Sequence, residues 1–218
     1  MGQVAAVSGA VGGIGTSTLA YALALQPSGA VALIDAQPDG APLDILVGSE
    51  GVTGARWSQV RVQSDAIDAL TILDALPEHA GIHVLSADRA GSVDARALRY
   101  LVAALRDHCD LVVLDIPMRD AGLEALRPDL RVTMLSPTIT ALGSAMTAPA
   151  GELLVVVDTG HADFPATAAA DYLGRELAGV VRWQRAVTMA AAQCVPPPAS
   201  ADVMRVAAAI WGRLSDGV

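Results

Sequence analysis

The chain has 218 residues, a formal charge of −9 and 53% hydrophobic residues; its 14 Lys+Arg residues are all arginine, and asparagine is absent as well as lysine. The length and a mean hydropathy of +0.46 suit one α/β domain with a large Ala, Val, Leu and Ile core, and exclude a disordered chain. A pI near 4.7 excludes nucleic-acid or anionic-lipid binding through overall charge, and the missing lysine excludes any mechanism that needs a lysine ammonium.

In chain order, Gln3 to Val7 is a short β run, followed by the glycine-rich Ser8 to Gly15 and a helical Thr16 to Leu25 that Pro27-Ser28-Gly29 stops. Ala30 to Ile34 reads as a buried strand ending at Asp35. A turn-rich stretch from Gln37 to Arg61 encloses Leu43-Asp44-Ile45-Leu46-Val47-Gly48. Asp65 to Leu76 predicts a helix and His83 to Ser86 a strand. Over Val93 to Arg106, the residues Leu98, Leu101, Val102 and Leu105 share one helical face, leaving Arg96, Arg99 and Arg106 on a solvated one. Leu111 to Leu114 is an apolar strand leading into Asp115, and further strands are expected at Arg131 to Leu135 and Leu153 to Val157. A proline-rich connection over residues 195–200 precedes a last helix at about Ala201 to Leu214. Strands alternating with helices predict a doubly wound, mainly parallel sheet with helices on both faces, in one domain over 1–218.

The remaining landmarks read as structural. Cys109 and Cys194 are expected to be reduced thiols, and His79, His83, His108 and His161 show no metal spacing. No apolar run approaches the roughly 18 residues of a membrane span. The apolar N-terminus lacks a basic leader, since the first positive side chain is Arg56, so a cytoplasmic location is expected. Trp57 is expected to pack a loop, and Asp44 either caps a helix or touches a ligand. Arg89 and Asp94 fall in a polar turn. The last helix, with Ile210 and Trp211 beside Arg205 and Arg213, is expected to pack on the body and not to anchor in a membrane.

The loop Val7-Ser8-Gly9-Ala10-Val11-Gly12-Gly13-Ile14-Gly15-Thr16-Ser17-Thr18 joins a strand to a helix, where glycines let backbone N–H groups approach a phosphate and the helix N-terminus favours an anion. Two readings follow. Ser8 to Gly15 resembles the T-G-x-x-x-G-I-G loop of short-chain dehydrogenases, and Asp35, 20 residues after Gly15, stands where an acid holds an NAD(P) ribose. That family's chemistry uses a Y-x-x-x-K pair that this composition forbids. The second reading is a deviant P-loop, K-G-G-x-G-K-[ST]-[ST], aligned on Gly12-Gly13-Ile14-Gly15. It puts Val11 at the extra signature lysine, Thr16 at the general lysine, and Ser17 at the Mg²⁺-binding hydroxyl, with Thr18 following.

Downstream residues favour the second. The ungapped run Leu33 to Gly48, with Asp35-Ala36-Gln37 and Leu43-Asp44, resembles the D-x-D and L-D segment of MinD/ParA-type P-loop ATPases. Asp110 to Pro117, with Asp115 after four apolar residues, resembles their Walker B strand. Gly54-Ala55-Arg56-Trp57, Ala75-Leu76-Pro77 and Ile82 to Ala87 are similar to the CpaE/TadZ-like branch, which includes actinobacterial septum site-determining and secretion-neighbourhood proteins. The likeness is dense over residues 3–117 and looser over 118–214. Members often carry an N-terminal receiver-like domain, whereas this chain begins at the first strand.

The resemblance implies a nucleotide site at Gly12, Gly13, Ile14, Gly15, Thr16, Ser17 and Thr18, with Mg²⁺ on Ser17 and Asp115. It makes Asp35 and Gln37 the degenerate counterparts of the catalytic D-x-D. Because Val11 and Thr16 replace lysines that neutralise phosphate charge, and Gln37 replaces the water-positioning Asp, weak or absent ATP/ADP binding and little hydrolysis are expected. The implied role is a spatial landmark for pilus or secretion assembly, or for septum placement, recruited to a pole or septum. Its implied partners are the chain itself, as a homodimer, and an assembly ATPase or division protein, with no direct nucleic acid and no strong membrane anchor. The competing expectations are an NAD(P)-binding dehydrogenase-like protein and a ligand-free interaction module.

Overall fold

The computed structural model describes residues 1–37, 40–60, 68–87, 93–118, 126–146 and 152–216. Eight strands form one sheet. They are β1 (Gln3–Gly9), β2 (Val31–Asp35), β3 (Glu78–His79), β4 (Ile82–Leu85), β5 (Leu111–Asp115), β6 (Leu130–Leu135), β7 (Leu153–Asp158) and β8 (Glu176–Arg182). Their order is β3-β4-β2-β5-β1-β6-β7-β8, parallel throughout except for the short antiparallel edge β3. The expected doubly wound, mainly parallel sheet is therefore the one observed.

Strand periodicity explains the layering. In β1, Ala5 and Val7 face one side while Val4 and Ala6 face the other; β2 and β5 alternate in the same way. One face is covered by α1 (Thr16–Ala24), α2 (Leu43–Val47) and α8 (Asp202–Ser215). Helix α1 is buried nearly all round, which its TLAYALA run permits because it offers no charged face. Helix α8 seats Val203, Val206, Ala207, Ile210 and Leu214 against this core at helical spacing, so the terminal helix is packed on the body. Buried Asp202 opens α8 and pairs with Arg182 at 2.9 Å and with Arg205. On the opposite face lie α3 (Ala69–Ala75), α4 (Ala95–Leu105), α5 (Ile139–Met146) and α6 (Ala166–Leu173). Asp94 caps α4 by accepting the amides of Arg96 and Ala97, which gives it a local role. Arg89 lies outside the described residues, as do residues 65–67 of the helix expected from Asp65.

Elements with no counterpart in the sequence reading include α2, which lies in the stretch read as turns, and β3, α5, α6, β8 and α7 (Arg185–Ala192). Strand β8, with the sequence ELAGVVR, lies at a sheet edge and is only partly buried, so it lacks the apolar run that marks a central strand. Helices α6 and α7 are rich in Ala, which gives little contrast between faces. No helix among the described residues is long and apolar enough to cross a membrane.

Candidate functional site

In the parallel sheet, β5 lies between β2 and β1, with Asp115 in register with both Asp35 and Val7. The loops that leave the carboxyl ends of β1, β2 and β5 therefore converge. They enclose a cleft of about 670 Å³, where ligands of open α/β sheets commonly bind. Its floor is the glycine loop with Asp35 and Asp115; its walls are Pro42, Leu43, Ile45 and Leu46 from the α2 segment, Ile116 to Met118 after β5, and Ala191 of α7.

Gly13 and Gly15 hold φ of +73° and +96°, and a Cβ built on Gly12, Gly13 or Gly15 would meet nothing within 4 Å. Glycine thus lets the backbone turn while leaving its amides bare toward the cleft. Gly15 is the N-cap of α1, and no side chain caps this helix, so its first-turn amides are available to an anion. Ile14 packs toward the core behind the loop, whereas Thr16, Ser17 and Thr18 line the cleft. Val11 lines the rim and also packs against the cluster of Ala10, Leu135 and Ala141.

The carboxylates differ in their engagement. Asp35 is 2% exposed; its Oδ1 accepts the Gln37 amide at 3.0 Å, and its Oδ2 accepts those of Leu43 and Ala87, each at 3.2 Å. It is a buried organiser of the loops after β2 and β4. Trp57 lies 3% exposed beneath it and donates Nε1–H to the Asp35 carbonyl at 2.5 Å, so this tryptophan packs the loop. Burial raises the Asp35 carboxyl above its ordinary range, against the pull of the three amides. Asp115 is 1% exposed, and burial pushes it up to about 6; hydrogen bonds from Ser17 and Gln37 oppose that shift, while the Asp35 charge adds to it. The Gln37 amide reaches Asp115 Oδ1 at 2.7 Å.

Asp44 is settled by its neighbour. Its carboxylate accepts Arg56 Nε at 2.9 Å, and the same guanidinium donates to the carbonyls of Ser49 and Gly54, closing the loop after α2. Asp44 is thus an ion-pair partner within this loop.

A divalent cation suits the donors present. Ser17 and Asp115 supply neighbouring oxygens in the cleft, and Mg²⁺ commonly takes one or two protein oxygens with phosphate and water completing its shell. Among the described residues no group of three or more His, Cys, Asp or Glu could hold a metal by itself. No Lys, Arg or His is among the described residues that line the cleft.

The sheet order also decides between the two loop readings. In a dinucleotide-binding sheet β1 lies beside β2, whereas here β5 separates them. The Asp35 carboxylate, turned onto three loop amides, is not presented to a ribose. The dehydrogenase-like expectation is corrected on both counts.

The fold is that of the MinD/ParA-type P-loop NTPases. The structure is similar to a ParA family ATPase from Chlorobium tepidum TLS, with a TM-score of 0.77 at 15% identity, covering 98% of this chain and 99% of that one. It is also similar to MinD from Aquifex aeolicus, with a TM-score of 0.73 at 15% identity over 98% and 97% of the two chains. MinD from Pyrococcus horikoshii OT3, solved with Mg-ADP, gives 0.72 at 17% identity over 100% and 98%. In sequence, the chain is 37% identical over 139 residues to the uncharacterised protein Rv3660c of Mycobacterium tuberculosis, a match over 62% of this chain and 39% of the relative's length. No family model matches the chain.

Ala191, Met118 and Ile45 were not legible as parts of this site. Ala191 carries no chemical signal and arrives only through the packing of α7. The Gln37–Asp115 contact joins residues 78 positions apart.

Proposed function

We propose that the chain is a degenerate MinD/ParA-like protein of the CpaE/TadZ type. It acts as a nucleotide-responsive positioning scaffold for pilus or secretion assembly, or for septum placement, with weak ATP binding and little hydrolysis. The observation that carries this reading is a phosphate loop with an open backbone cradle and no cationic side chain among the described residues of its cleft. Gly13, Gly15, Thr16 and Ser17 offer amides to phosphate oxygens, and Ser17 with Asp115 would hold Mg²⁺. Bound there, Mg²⁺ would neutralise phosphate charge. Thr16 cannot supply a lysine's charge, and Val11 packs against its own subunit instead of offering a charge to a neighbour. Gln37 holds Asp115, so its amide is engaged and not free to orient a water.

MinD of Pyrococcus horikoshii was solved with Mg-ADP, and MinD of Aquifex aeolicus was solved as a MinC:MinD complex. By analogy, the partners proposed here are a second copy of the chain and an assembly ATPase or division protein, met in the cytoplasm at a pole or septum.

Two measurements test the reading. Single-turnover hydrolysis of labelled ATP is expected to stay at the buffer rate, and sustained turnover would contradict the scaffold role. A fluorescent fusion is expected to form polar or septal foci, and uniform fluorescence would contradict the landmark. Retained focus formation after substitution of the loop glycines would instead favour the ligand-free interaction module.

A further inference from the structure

The two ends of the sheet carry opposite charge. Residues 177–215, which include most of β8 with α7 and α8, contain four arginines and one acid, Asp202, in a chain whose net charge is −9. Residues 61–89, which include α3, β3 and β4, contain five acids and two arginines. In the sheet order, β8 and β3 are the two opposite edges.

At the β8 edge the positive charge is exposed and only partly compensated. The single buried carboxylate of Asp202 serves both Arg182 and Arg205, whose own side chains stay largely exposed. Asp158 also faces Arg182, and Arg213 pairs with Glu176. Arg185, which opens α7, is exposed and forms no ion pair among the described residues. Between Arg182 and Arg185 stands Trp183, 66% exposed. At the β3 edge, Asp68 caps α3, while Asp74 and Glu78 are exposed and form no ion pair among the described residues. Leu70 is 56% exposed and precedes Asp74 by four residues, so α3 shows an apolar side chain beside a carboxylate on one strip. Arg96 and Arg99 belong to α4, the helix packed beside α3.

Each edge thus joins an exposed apolar side chain to charge of one sign, and the signs are complementary. Exposed apolar side chains gain free energy on contact, and charges around them select which surfaces meet. The net charge of −9 repels copies at a distance. At about 0.15 M salt that repulsion is screened beyond roughly 8 Å, which leaves the decision to charges in contact.

We infer that the chain associates with a second copy head to tail, the Trp183–Arg185 end of one copy seated on the Leu70, Asp74 and Glu78 end of the next. The two surfaces differ and lie at opposite edges, so every contact leaves one free end of each kind and growth gives an open row. None of these five residues lines the cleft, so the contact stands apart from the nucleotide reading and needs no ligand.

The test is sedimentation velocity of the full chain without nucleotide, at about 0.15 M salt and up to about 0.1 mM protein, which reaches the affinity of a weak interface. The average mass is expected to rise with concentration past the dimer and to fall when salt is raised to about 0.5 M. Arg185→Glu and Asp74→Arg, each checked for the native melting transition, are each expected to weaken association at least about tenfold. Glu78→Arg takes the place of Asp74→Arg if the latter does not fold. Mixed one to one, the two variants are expected to form dimers and nothing larger, because each keeps the end that the other has lost. A native chain that stays monomeric, variants that associate as the native chain does, or a mixture that stays monomeric would each overturn the head-to-tail contact. None of these outcomes touches the nucleotide site, which ATP hydrolysis tests separately.

Discussion

The Gln37 amide donates to Asp115 Oδ1 at 2.7 Å and ties the loop after β2 to the end of β5. A carboxylate at position 37 would instead place a third negative charge beside Asp35 and Asp115, whose strands run in register. Glutamine suits a cleft with no cationic side chain among its described lining residues, because its N–H compensates Asp115 without a metal. Gln37→Ala is expected to lower stability by about 1.5–3 kcal/mol at pH 8, the usual worth of a hydrogen bond to a charged group, read from urea denaturation. Gln37→Asp should be destabilised further, and Mg²⁺ should restore part of the loss.

Asp115 also sets a pH dependence. Its folded value of about 6 lies above the ordinary carboxyl value of 3.8, so the native state holds a proton that the unfolded chain has released. The stability contributed by the protonated group is fully present below pH 4 and is lost as pH rises toward 6. Asp115→Asn should therefore gain on the native protein through this window, by on the order of 3 kcal/mol, and hold a constant margin above it. Parallel denaturation curves at pH 4.5, 5.5 and 7 measure the margin, and one that stays flat would contradict the assignment.

Gly48 ends α2 at φ +82°, and a Cβ there would stand 2.4 Å from the Cys194 carbonyl oxygen. Gly48→Ala combines left-handed strain of about 1–2 kcal/mol with a backbone clash that no rotamer relieves. A loss exceeding 2 kcal/mol is expected, together with a lower thermal midpoint. Because Ile45 and Leu46 precede Gly48 and Ala191 precedes Cys194, ligand affinity should fall with stability.

Arg56 and Asp44 form a nearly buried pair, with side chains 13% and 12% exposed. Arg56→Ala strands the carboxylate and should cost about 3–5 kcal/mol, whereas Arg56→Met with Asp44→Leu should recover most of it. A double-mutant cycle measures the recovery.

Much of the molecule was legible because its central strands are hydrophobic on both faces. Runs such as VALID and LVVLD, rich in Val, Leu and Ile and bounded by turn signals, read as buried parallel strands, and each ends in the acid that reaches the site. The glycine loop was legible because a strand-to-helix turn leaves amides bare only with residues like Gly13 and Gly15. Edge strand β8 and helix α7 were not, since partial exposure and alanine-rich sequence weaken any periodic signal.

The sequence by itself determined the α/β alternation, the placement of Asp35 and Asp115 at strand ends, and the absence of any lysine ammonium. Only the tertiary structure decided that β5 separates β1 from β2, which rejected the dinucleotide-binding sheet. It alone turned Asp35 onto backbone amides, set Gln37 against Asp115, and packed Val11 on the cleft rim against its own core. Local sequence sets periodicity and turn geometry, whereas strand order and the partners of a buried polar group depend on which distant segments packing brings within hydrogen-bond reach.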